Sequence, residues 1–189
     1  MRAQLAGGLA AMSLVALPSL AAAHDGGTSD LSRRSAQTRG HTAKLAELRD
    51  VTAPYQSGPG GGWTTQVFDL ADITCIEDPA GRGTMGIHFV DVGNLLDGQV
   101  DRLAPEALIY EPQLDDSLTL IAVEYLVLAD AWDAAHAAPP ILYGQRFARV
   151  AAGNRYGLPA FYELHVWHEK ANPSGTFNDW NPDVHCIEL

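Results

Sequence analysis

The stretch "EALIYEPQLDDSLTLIAVEYLVL", Glu106–Leu128, decides the fold. Two runs rich in β-branched and aromatic residues flank the polar segment QLDDS, which is the pattern of a β-hairpin. Successive side chains of a strand point to opposite faces, so alternation sorts these residues. With a tight turn at Asp115 and Asp116, one face collects Leu108, Tyr110, Ile121, Val123, Tyr125 and Val127, apolar enough for a core. The other face sets Glu111 opposite Leu120 and Ala107 beside Glu124. A slip of one residue in the turn would reverse half of this assignment.

The same rule extends outward from the hairpin. "TMGIHFVDV" reads as a strand over Met85–Val92, with Met85, Ile87 and Phe89 toward the core and Gly86, His88 and Val90 away from it. "AFYELHVWHE" is a last strand with Glu163, His165 and Trp167 on one face. Its other face carries Tyr162, Leu164, Val166 and His168, and His168 is expected at the wet end of the strand. "ILYGQRF" suits a short edge element, and "AWDAAHAAPP" a helical turn or loop that stops at Pro139. Upstream, Leu45, Leu48 and Val51 recur at helical spacing, which predicts one amphipathic helix ended by Ala53-Pro54. The following "SGPGGGW" is too rich in glycine for a helix or strand and reads as a flexible connection. The predicted class is α+β, an N-terminal helix with a four- to five-stranded, mainly antiparallel sheet. A small closed β-barrel is the competing architecture. The tail "NPSGTFNDWNPDVHC" has no periodicity and reads as a loop pinned by Phe177, Trp180 and Cys186.

Arg2, the apolar run Leu5–Leu17 and the small residues Ala21, Ala22 and Ala23 read as a signal peptide over residues 1–23. A polar, flexible arm is expected over 24–40 and one globular domain over 41–189. The chain is therefore expected to be exported, to the periplasm or the extracellular space. Stable membrane insertion is not expected, because "LTLIAVEYLVLADAW" is broken by Glu124 and Asp130. The net charge of −11 argues against nucleic acid and anionic membranes as partners. In an oxidising compartment Cys75 and Cys186 are expected to form a disulfide, being too distant in sequence for a CxxC pair. Closing a loop of about 100 residues is worth up to about 4–5 kcal/mol in the chain-entropy model.

Four segments thus bring His88, Glu111, Glu124, Glu163 and His165 to one sheet face. Two imidazoles with carboxylates form the donor mixture of zinc, iron, copper or manganese sites. The expected ligands of a divalent metal are His88 and His165, with Glu124 and then Glu111 as carboxylate partners. Sharing one ion requires the two imidazoles to lie within about 8 Å. Without metal the same residues can act as acid and base; on an ordinary antiparallel sheet the glutamates would simply face solvent. No serine stands in a G-x-S-x-G setting. Glu163, Trp167, Asn172 and Trp180 are further candidates for ligand contact. A second class of function is a non-enzymatic binding or envelope-associated module that uses the tryptophans and the Asn-Pro loop against a small molecule or an envelope partner. Trp63 and Trp132 suit core or loop-anchoring roles, and His136 and His185 have no partner in the pattern. A mature chain beginning at His24 would resemble the copper brace of lytic polysaccharide monooxygenases, but a glycine-rich arm is a poor platform for a rigid site.

The blocks "CIEDPAGRGTMGIHFVD", "LAPEALIYEP", "LIAVEYLV", "YELHVW" and "NPSGTFNDWNP", in this order between Cys75 and Cys186, resemble a family of exported bacterial proteins with no established activity. The resemblance implies that His88, Glu111, Glu124, His165, Asn172, Pro173, Gly175 and Trp180 occupy the family's recurring positions. It implies export and a shared site, and it names no reaction. The chain departs from that pattern at "APYQSGPGGGW", where members have a helix ending in a Gly-Tyr step.

Overall fold

A computed structural model describes residues 40–187. The signal peptide read at 1–23 and the arm read at 24–40, apart from Gly40, lie outside the described residues. Helix α1 covers residues 40–52 and buries Leu48 completely, with Leu45 packed beside it. A 3-10 turn at Ala53–Tyr55 ends it, with Pro54 in the first positions, where a missing N–H does no harm. The glycine-rich connection then delivers Trp63 to the core, where its indole N–H donates to the Pro105 carbonyl at 2.8 Å.

The strands are β1 (Thr65–Gln66), β2 (Cys75–Glu77), β3 (Thr84–Val90), β4 (Ala107–Pro112), β5 (Leu118–Leu128), β6 (Ile141–Leu142), β7 (Gln145–Arg146), β8 (Ala148–Val150) and β9 (Phe161–Val166). Two short helices, α2 (Val92–Leu96) and α3 (Ala129–Asp133), follow β3 and β5. The main sheet runs β1-β3-β4-β5-β9-β8, with β2 also paired to β3, and every pairing is antiparallel. It does not close into a barrel, so the fold is α+β. β3, β4, β5 and β9 are the strands expected from alternation. β1, β2 and β8 add two or three residues each, too few for a period of two to register. "ILYGQRF" forms a separate two-stranded hairpin, β6-β7, turned by Tyr143 and Gly144 with φ of 52° and 73°.

Both faces of the sheet are covered. α1 packs on the first, over Leu108, Tyr110, Leu120, Val123, Tyr125, Val127, Leu164 and Val166. The second face holds two smaller apolar groups, one of Val90, Ala107, Leu126 and Phe161, the other of Ile109, Ile121, Ala122, Trp167 and Val184. The tail lies over this second face and is fastened there by a disulfide between Cys75 and Cys186, 111 residues apart. Thr84 and Asn181 add two backbone hydrogen bonds, at 3.0 and 3.1 Å.

Two irregularities correct the simple alternation. The β4-β5 register runs Ala107↔Glu124, as the tight turn predicts, but shifts between Ile109 and Tyr110, so Glu111 faces Thr119 instead of Leu120. The extra residue turns Ile121 to the second face and Leu120 to the helix-side core, the reverse of the expected assignment. In β3 the pairing with β2 skips Met85, beside Gly86 at φ +108°. Met85 therefore leaves the expected core row, and the Tyr156 hydroxyl donates to its sulfur at 3.8 Å. A Cβ on Gly86 would stand 2.6 Å from the Tyr110 carbonyl oxygen, so only glycine fits.

His168 also departs from expectation. It is buried rather than at a wet end, because its parity places it with Leu164 and Val166 on the face that α1 covers. Its Nε2 lies 2.9 Å from the Thr52 hydroxyl at the C-terminal end of α1.

Candidate metal centre

Register alone brings the central residues together. Glu124 and His165 are direct cross-strand partners in β5 and β9, and His88 stands opposite Ile109 in β4 while Ala107 stands opposite Glu124. His88 and Glu124 thus approach each other across a strand whose nearby side chain is the small Ala107. The resulting group, His88, Glu124 and His165, sits between the two apolar groups of the second face, with exposures of 5%, 5% and 0%. Its candidate donor atoms all lie within 4.8 Å of one another, which is the spacing of a possible metal site.

The distances discriminate between two kinds of contact. His88 Nε2 lies 3.5 Å from Glu124 Oε2, and His165 Nε2 lies 3.7 Å from Glu124 Oε1. Charge-assisted hydrogen bonds are shorter, at about 2.7–2.9 Å. Two donors bonded to one zinc-sized ion at about 2.1 Å and a tetrahedral angle lie about 3.4 Å apart. The imidazoles stand edge to face with centroids 5.9 Å apart, inside the 8 Å that sharing one ion demands.

Hydrogen bonding within the protein leaves these rings incomplete. His88 Nδ1, His165 Nδ1 and His165 Nε2 are buried without a hydrogen-bond partner. Such groups in a native interior call for an explanation, an ion among them. His165 Nδ1 faces Asp179 Oδ1 at 3.6 Å, an ion-pair separation longer than a hydrogen bond. Nearby cations are committed elsewhere, Arg82 to Asp78 at 2.5 Å and Arg155 to Asp69 at 2.7 Å.

Burial and charge pull the two imidazoles apart. Burial, reinforced by nearby His165, lowers the pKa of His88 to about 3. Burial opposes charge on His165 too, but Glu124, Asp179 and Glu163 outweigh it and push its pKa up to about 9. Burial raises Glu124 well above the usual carboxylate range, with His165 opposing and Glu163 adding to the rise. Glu163 is raised by burial as well, while the His165 imidazole holds Asp179 low. The protein has thus gathered acidic groups where their negative charge is costly.

The remaining candidates fall elsewhere. Glu111 lies one strand repeat beyond Ile109, about 7 Å further along β4. There it accepts both hydrogen bonds of Lys170 Nζ, at 2.8 and 2.7 Å, and one from the His185 backbone, outside the His88 group. Glu163 does share the face of His165 and borders the group. Trp167 is buried and donates from its indole to the Asn178 carbonyl at 2.6 Å. Asn172 ties the tail to itself through the carbonyls of Asn178 and Trp180 and the amide of Ser174. Trp180 is half-buried, with the Arg82 guanidinium 5.5 Å from its ring centre.

Two residues beside the centre carry no signal in the sequence pattern. Asp179 lies in the aperiodic tail, and its approach to His165 depends on how that loop is fastened. Tyr156 follows Arg155, whose guanidinium grips Asp69 and whose carbonyl accepts the Leu70 amide at 2.8 Å. This clasp sets Tyr156 against the second face, and burial, with Glu124 adding, raises its hydroxyl pKa. No known protein family, curated protein or solved structure matches the chain.

Proposed function

We propose that this is an exported protein that binds a divalent first-row transition metal through His88 Nε2, Glu124 and His165 Nε2. The observation that carries the reading is the spacing of 3.5 and 3.7 Å around the Glu124 carboxylate, joined to a buried His165 Nε2 that lacks a hydrogen-bond partner. Two imidazoles and one carboxylate suit zinc or ferrous iron, and three protein ligands leave a coordination position open. A metal in such a site polarises a bound water or substrate oxygen. In this reading Glu163, beside Glu124, takes or returns a proton, and Asp179 supplies negative charge beside His165.

The disulfide and the absence of a described helix long and apolar enough to cross a membrane are compatible with export. The alternative, a binding module presenting aromatic side chains, draws no support from Trp167, which is buried, or from Phe177, which packs against Tyr143 at 5.8 Å.

Elemental analysis and thermal melting of protein purified from the periplasm test the reading. One zinc or iron per chain, and melting raised by added metal, are expected for the native sequence. His88→Ala and Glu124→Gln should each lower the bound metal at least tenfold. A metal-free native protein whose melting ignores zinc, iron, copper and manganese would end the proposal.

A further inference from the structure

A narrow cavity of about 50 Å³ reaches the centre. Its lining includes exposed Leu158, buried Val90, Leu126 and Phe161, and the two centre residues His88 and Glu124. Tyr156 belongs to this lining and also borders a broader cleft of about 740 Å³ that contains Glu77 and Glu163.

Size, walls and charge restrict what the narrow cavity can take. A cavity of about 150 Å³ holds benzene, so one of a third that volume holds about two heavy atoms. Aliphatic walls return no hydrogen bond to a polar or charged molecule that has left its water. The carboxyl groups of Glu124, Glu163 and Asp179 disfavour an anion at the inner end. What fits is a small, uncharged, apolar molecule, which gains by leaving water for such walls. The donor set points the same way, because two imidazoles and one carboxylate with open positions hold ferrous iron in sites that use dioxygen.

We infer that the cavity admits an uncharged diatomic gas, of which dioxygen is the abundant example, to an open position of ferrous iron at His88, Glu124 and His165. The inference rests on the metal reading above and selects iron over zinc.

Two probes test it. Xenon, followed by its own NMR signal in the protein as purified, reports the cavity whether or not a metal is bound; it should bind the native chain and not Leu126→Phe, which fills the throat. Nitric oxide, added without air to protein loaded with ferrous iron, stands in for dioxygen and gives a paramagnetic resonance signal when it binds the iron. Leu158→Trp, at the exposed mouth, should keep its iron but slow nitric oxide binding about tenfold, equivalent to about 1.4 kcal/mol on the barrier. Glu77→Trp, which narrows the broad cleft instead, should leave that rate unchanged. If Leu126→Phe fails to fold, Leu158→Trp carries both measurements. Iron that binds nitric oxide at one rate in all the folded variants, a chain that binds no xenon, or a centre that takes zinc and refuses iron would overturn this inference and leave the metal centre standing. A chain that takes up neither iron nor zinc would overturn both.

Discussion

Among the described residues, one buried side-chain nitrogen on the face of the sheet under α1 lacks a partner within the protein, whereas three on the face under the tail do. Beneath α1, the Tyr110 hydroxyl donates to the Tyr55 carbonyl at 2.9 Å and the Tyr125 hydroxyl to the Arg102 carbonyl at 2.6 Å. His168 Nε2 meets the Thr52 hydroxyl, and only His168 Nδ1 lacks a partner there among the described residues. Beneath the tail, three imidazole nitrogens of His88 and His165 lack partners, and carboxyl groups crowd around them. Satisfied polar atoms stabilise a fold; unsatisfied ones cost it. The difference marks the first face as the stabilising one and the second as the place where a ligand is expected.

The contrast can be broken from either side. The largest effect is expected on the helix side. Leu108→Ala empties a fully buried position in the main core and should cost about 2–5 kcal/mol, read by urea denaturation. The folded fraction should keep its full complement of metal; a parallel loss of metal would show that the two faces are not separable.

Next comes the pH dependence carried by His168. Burial holds its pKa at about 4, below the ordinary 6.5 of an unfolded chain. Above pH 6.5 both states are neutral at this residue and it contributes no slope. As pH falls from 6.5 toward 4, the unfolded chain takes a proton that native His168 refuses, so stability declines. The loss should reach about 3 kcal/mol at most. His168→Gln should make that part of the stability–pH curve shallower in metal-free protein, where His88, with its pKa of about 3, keeps a slope of the same sign; an unchanged slope would remove His168 as a source.

The smallest effect is expected at Glu111. Its ion pair with Lys170 is partly exposed, and Glu111→Gln should change stability by no more than about 1 kcal/mol. Metal content should stay as in the native protein. A loss of metal comparable to that of Glu124→Gln would return Glu111 to the ligand set and sharpen the boundary of the site.

Alternation in "LTLIAVEYLVL" and "YELHVW" was enough to join Glu124 with Glu163 and His165, and "GIHFV" was enough to add His88. These assignments are local. A strand's period of two follows from its backbone geometry and holds wherever the strand is regular. It failed where strands are irregular, at Ile121, Leu120 and Met85, because a bulge belongs to a pair of strands and neither strand alone announces it. It failed differently at His168, whose parity was right but whose burial depends on α1, more than 100 residues earlier in the chain.

The sequence by itself determined the four long strands, the pairing of Cys75 with Cys186 and the common face of His88, Glu124 and His165, and it favoured α+β over a closed barrel, a choice the open sheet settled. Their periodicities and redox chemistry are properties of short segments or of single residues. Only the tertiary structure decided that Glu111 lies with Lys170, that Asp179 and Tyr156 border the centre, and that an apolar cavity ends there. Those outcomes depend on loops without periodicity, positioned by a disulfide, an Arg155–Asp69 clasp and contacts between residues far apart in the chain.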